Sequence, residues 1–123
     1  MTDPRLPRSV YRSGDEPDPR FSLANERTFL AWIRTALAFL AGAVALEALA
    51  TPLHPPLRLA AALILVATAI ALVVEAWVGW TRTERAMRHG RPLPPPVSAL
   101  PAAVGLLAAA VLVAMGLVLG TPA

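Results

Sequence analysis

The chain of 123 residues contains no cysteine and no lysine, only two histidines, and charged residues make up 15% of it against 56% hydrophobic. Without cysteine there is no disulfide, no thiolate metal site and no cysteine nucleophile. No carboxylate pair, no nucleophile beside a base and no phosphate-cradling glycine loop occurs in the sequence. No catalytic residue, cofactor or metal is therefore expected, and nucleic acid is not an expected partner. Internal repeats are absent as well. The basic residues are all arginine, 11 against 8 acidic residues, for a formal charge of +3. Their placement says more than their sum.

What is present is apolar length. With a mean hydropathy of +0.58, the chain is too apolar for a soluble globule of its size. Three runs, about Phe29–Ala50, Leu57–Trp80 and Ala99–Gly120, each have the ~20 residues that span a hydrocarbon core ~30 Å thick. The first is too long, and lies too far from the start, for a cleavable signal peptide. The fold class is all-α integral membrane, with three transmembrane helices over about 25–50, 57–89 and 98–120 of a membrane domain at 21–123. Arginines crowd the segment before the first helix and the connector "TRTERAMRHGRPLPPP", while "TPLHPP" and the C-terminal "TPA" have none. The positive-inside rule then sets the N-terminus in the cytoplasm and the C-terminus outside. The expected location is a membrane. His54 and His89 fall on opposite sides of it and share no site.

Residues 1–20, "MTDPRLPRSVYRSGDEPDPR", mix proline with both signs of charge and read as a disordered cytoplasmic tail. Ser22 or Asn25 is the candidate N-cap of the first helix, with Glu26 in its first turn and Arg27 and Thr28 following. Prolines 52, 55 and 56 make a tight outer turn. Gly90 ends a basic extension of helix two, and "PLPPPVSALP" reads as a stiff extended connector.

Four charges lie within the apolar runs. Arg34 sits about 8 Å inside the Arg-rich end of helix one, level with Glu75 of the antiparallel helix two. Glu47 near the other end is level with Arg58. The expected pairs are Arg34–Glu75 and Glu47–Arg58, either as staples of helix register or, for the inner pair, as part of a working site. On helix one, Arg27, Ala31, Arg34, Ala38, Ala41 and Ala45 recur at spacings of four and three and form one narrow face. That face is either a tight helix–helix seam or the lining of a polar cavity shared among subunits. Helix three carries Gly116-x-x-x-Gly120 and Ala110-x-x-x-Ala114, a weak sign of close packing. Three helices bury little volume alone, so a homo-oligomer in the lipid bilayer is expected.

The stretch "DPRFSLANERTFLAWIRTALA" at 18–38 resembles the signature of the YidH-like family of small bacterial inner-membrane proteins, a family of unknown function. The basic stub "WTRTERAMRHGRPLP" at 80–94 extends the resemblance, which covers about residues 17–120. The same domain is similar to the membrane portion of the fungal vacuolar transporter chaperone complex, which makes and moves polyphosphate. That likeness implies a shared pore with basic residues at its cytosolic side, and makes Arg27 and Arg82 or Arg88 candidates for polyanion contact. Arg34 is not secured by it, and with no polymerase domain a synthase activity does not transfer. Two functions follow. One is an oligomeric module whose Arg27, Arg34, Arg82, Arg85 and Arg88 contact an anion such as polyphosphate. The other is an accessory or scaffold subunit whose arginines set topology and touch anionic lipid headgroups.

Overall fold

A computed structural model describes residues 3–95 and 99–120. Four helices follow one another, α1 (Arg8–Tyr11), α2 (Pro19–Leu49), α3 (Pro55–Arg88) and α4 (Ala99–Leu119). The last three are long and apolar enough to cross a membrane. The expected helices are thus found, with α2 starting six residues earlier than the sequence indicates. Its N-cap is Asp18, whose side chain accepts from the Arg20 amide, with Pro19 in the first helical position. Ser22 and Asn25 are therefore inside the helix rather than at its start, and Glu26 lies beyond its first turn. A proline dipeptide, Pro55–Pro56, opens α3, where missing amide donors cost nothing. Gly90, at φ 64, ends it in the left-handed conformation, and the Arg91 amide closes onto the Ala86 carbonyl at 2.8 Å. Residues 91–95 form neither helix nor strand. The rest of the expected proline connector, 96–98, and the C-terminal 121–123 lie outside the described residues.

Of the three long helices α3 is the central one, and side chains from all three share one cluster of Ala43, Ala62, Leu65 and Ala109. Both α2 and α4 pack on α3, and no Cα of α2 comes within 8 Å of α4. Small side chains make the α2–α3 seam. Ala36 packs with Ala69 and Leu72, and Ala43 with Ala62 and Leu65. Alanines let two backbones approach closely, which in lipid replaces the missing hydrophobic drive between helices. On a neighbouring face of α3, Gly105 of α4 sits directly on Thr68, and Gly116 sits on Leu53 of the α2–α3 turn. The His54 amide donates to the Gly116 carbonyl at 3.2 Å, tying the α2–α3 turn to the end of α4. Of the small-residue pairs on α4, Ala110 and Ala114 face outward, and Gly120 follows the helix end at φ 63. The packing line is Gly105, Ala109 and Gly116.

Residues 3–18 are the main departure from expectation. Rather than a free tail, they lie along the last turns of α3 with Val10 fully buried. One arginine makes most of the polar contacts. Arg88 donates from Nε to the Ser13 carbonyl at 2.7 Å, from Nη2 to the Tyr11 carbonyl at 2.9 Å and from Nη1 to Glu16 at 3.1 Å. In return, the Asp15 amide donates to the Arg88 carbonyl at 2.8 Å. Gly14, at φ 64, is required at this contact, since a Cβ there would collide with the Arg88 carbonyl. A guanidinium reading backbone carbonyls leaves no hydrophobic period, which is why composition alone suggests disorder here.

The Gly105–Thr68 contact can be tested directly. Gly105→Val forces α4 away from α3 and costs about 1–3 kcal/mol, read as a lower unfolding midpoint in detergent. Gly79→Ala, whose added methyl meets nothing within 4 Å, leaves the midpoint unchanged or raises it.

Candidate functional site

The antiparallel seam fixes which charges share a depth. Along it Asn25 meets Trp80 and Glu84, Ala36 meets Leu72, and Ala43 meets Leu65. Continued in that register, Arg34 is level with Glu75 and Glu47 with Arg58, as the sequence indicates. Rotation about the helix axis separates the two pairs. At about 100° per residue, Asn25, Ala36 and Ala43 fall within about 20° of one line facing α3, and Glu47 within about 40° of it. Glu47 consequently reaches Arg58, whose Nε lies 3.6 Å from Oε1. This is an ion contact without a hydrogen bond, and Arg58 Nη1 instead donates to the Ala50 carbonyl at 3.5 Å.

Arg34 lies half a rotation away from that line and is exposed, so the expected Arg34–Glu75 pair does not form within the chain. Glu75 instead borders a cavity of about 240 Å3 with Asn25, Thr28, Trp32, Arg82 and Thr83. The whole face of Arg27, Ala31, Arg34, Ala38, Ala41 and Ala45 is exposed and points directly away from α3. It is not a seam inside this chain.

At the Arg-rich end of α3, a residue that the sequence reading overlooks organises the site. Glu84 is 2% exposed. Its Oε1 accepts from Asn25 Nδ2 at 3.1 Å and its Oε2 from Ser22 Oγ at 3.2 Å. Asn25 Nδ2 also donates to the Trp80 carbonyl at 3.1 Å. Ser22 and Asn25 are thus polar cross-links between α2 and α3, not caps. The register arithmetic that levels Arg34 with Glu75 also sets Glu84 opposite Asn25, and that was the available signal. Thr28 turns inward to the Ala24 carbonyl of its own helix, at 3.2 Å.

The stub arginines divide by role. Arg88 is buried and engaged as described above, which removes it from the candidate polyanion contacts. Arg85 donates to Ser9 Oγ at 2.8 Å and so also holds the N-terminal segment. Arg82, with Arg27, remains exposed. Outside the spans, Arg5 bridges Asp3 and Glu16 at 2.6 and 2.8 Å. Hydrogen bonds from Arg5 and then Arg88 hold the Glu16 carboxyl at about 2, and those from Arg5 hold Asp3 at about 2. Among the described residues, no three His, Asp or Glu side chains come together as metal ligands.

Residues 20–86 match the family model described as a domain of unknown function, DUF202. The chain belongs to the DUF202 family. It is 49% identical over 111 residues to the inner membrane protein YidH of Escherichia coli K12, covering 89% of this chain and 96% of that one. An uncharacterized protein of Mycobacterium tuberculosis is 50% identical over 80 residues, 64% of this chain and 66% of its own. No solved structure matches. The YidH-like resemblance read from "NERTFLAW" is therefore correct, and this DUF202 chain is an inner-membrane protein. The matched region takes in the α2–α3 hairpin, the Glu84 cross-link and Arg34, and stops short of Arg88 and α4.

Two outcomes follow for this end of the molecule. Glu84→Ala strands the Asn25 and Ser22 donors and lowers stability by about 1–3 kcal/mol, read from thermal unfolding in detergent. A depressed carboxyl pKa stabilises above the ordinary value and ceases to do so as pH falls through the depressed one. Protonation of Glu16 as pH drops from about 4.5 towards about 2 therefore removes one of the contacts to Arg88 and partly releases the N-terminal segment. Hydrogen exchange at the Asp15 amide follows the release, and Arg88→Gln produces it at neutral pH.

Proposed function

We propose that this protein is a non-catalytic inner-membrane module that works as a homo-oligomer, with its arginine-rich end in the cytoplasm. Copies meet through the outward face of α2, and Arg27 and Arg34 present an anion-contacting surface at its cytoplasmic end. Phosphate-rich polyanions such as polyphosphate are the ligand class to test first. The observation that carries this reading is that the six-residue face from Arg27 to Ala45 is exposed along its whole length, opposite the α3 contact. An arginine inside an apolar span favours a watery path or a partner over lipid, and small residues beneath it permit close approach. His54 and His89, at the two ends of a 34-residue helix, are in keeping with a role without catalysis.

A second reading has its own observation. Because Arg85 and Arg88 hold the N-terminal segment, fewer arginines are free to grip a polyanion. The protein would then be an accessory or scaffold subunit, with Arg27 and Arg82 touching anionic lipid headgroups at about 1 kcal/mol each.

Native mass spectrometry of the protein in nanodiscs tests the first reading, which requires a closed assembly of several copies. A monomer overturns it. If the assembly forms, proteoliposome flux of phosphate or short polyphosphate falls to a small fraction of the parent's in Arg27→Ala. Equal flux from parent and variant leaves the scaffold reading in its place.

A further inference from the structure

Beside Glu84 lies a second cavity, of about 320 Å3, whose composition runs against its surroundings. Its walls include Tyr11, Glu26, Phe29, Trp77, Trp80 and Glu84. This end of the molecule holds Arg27, Arg82, Arg85 and Arg88, yet no arginine lines the cavity. Its rings form a contiguous wall. Trp77 stacks on Trp80 at 5.5 Å, Phe29 meets Trp77 edge-on at 6.4 Å, and Tyr11 approaches Trp80 at 6.2 Å. Tyr11 already carries the Arg5 guanidinium 4.4 Å over its ring, so the cage proper is the other three rings with the two carboxylates.

Glu84 adds the electrostatic argument. A carboxylate withdrawn this far from water needs compensation. Among the described residues it receives two hydrogen bonds, both from neutral side chains, and enters no ion pair. Glu26, at the exposed edge of the same cavity, is likewise in no ion pair among them. An aromatic belt at the membrane surface explains the tryptophans. It does not explain two carboxylates set among them where the arginines nearest the cavity, Arg5 and Arg88, lie over the Tyr11 ring and none lines the cavity itself. Aromatic faces and carboxylates together select a cation of low hydration, and an ammonium group fits both.

We propose that this cavity binds an alkylammonium group, with Phe29, Trp77 and Trp80 against its carbon-bound face and Glu26 and Glu84 as its counter-charge. The rings lie where the apolar spans give way to charged residues, so an aminophospholipid headgroup reaches the site without leaving the membrane surface, and a free amine reaches it from water. The site is independent of whether copies assemble.

Two of the three tryptophans, Trp77 and Trp80, line the cavity, so their emission reports its occupancy. The full chain in phosphatidylglycerol nanodiscs is titrated with tetramethylammonium and with ethanolamine, and in parallel placed in nanodiscs of rising phosphatidylethanolamine content. A saturable response to the free amines assigns the site to soluble ligands, and a response to phosphatidylethanolamine alone assigns it to the lipid headgroup. In either case Glu26→Gln weakens the response at least about fivefold. That side chain is exposed and forms no ion pair among the described residues, so the variant keeps its fold, as an unchanged unfolding midpoint verifies. No saturable response in either arm, or an equal response from Glu26→Gln, overturns the proposal.

Discussion

Alanines at 36, 43, 62 and 69 allow the backbones of α2 and α3 to approach closely, and that approach sets both a register and a rotation. Register decides which residues share a depth in the membrane. Rotation decides which of them can touch. Glu47 and Arg58 satisfy both conditions and meet, whereas Arg34 satisfies only the first and is left on the far side of its helix. The same two conditions bring Asn25 to Glu84, and with it a buried polar link where the spans leave the apolar region. In lipid such links specify a unique helix pairing, because an unsatisfied alternative is costly.

The three spans, their antiparallel order and the levels of the charges within them were legible because each depends on length and on a fixed rise per residue. The azimuth of Arg34 was not. The four-three pattern through Arg27 and Ala45 correctly identifies one face of α2, but a face of small residues is what both a seam and an open surface look like. The asparagine and glutamate that mark the real seam were hidden by their apparent roles, Asn25 as a cap and Glu84 as one charge in a basic stub. Asp18–Pro19 is as good a helix start as Ser22 or Asn25, and tertiary contacts favoured it by giving the other two residues partners on α3. The N-terminal segment illustrates a different gap. Its attachment rests on the guanidinium groups of Arg88 and Arg85, their polar acceptors and one buried valine, and no hydrophobic period announces that arrangement.

The arginines therefore belong to separate populations although the sequence offers them as one. Arg5, Arg85 and Arg88 are internal fasteners that organise the N-terminal segment. Arg58 balances a glutamate at the far end of the hairpin. Arg27, Arg34 and Arg82 face outward and are the ones available to lipid, ligand or another copy. A charge count at this end overstates the free positive surface, and the acidic, aromatic cavity beside Glu84 reduces it further.

The clamp on the N-terminal segment also has a meaning for biosynthesis. Arg88 is the final residue of α3, so residues 3–18 leave the ribosome long before the side chain that secures them exists. The α2–α3 hairpin can settle in the bilayer first, as the earliest unit of the chain with its own seam. Only when the last turn of α3 emerges can the N-terminal segment close over it, while α4, which packs on α3 and the α2–α3 turn, arrives afterwards. Residues 3–18, made before the hairpin, thus become one of the later parts of the molecule to take their place.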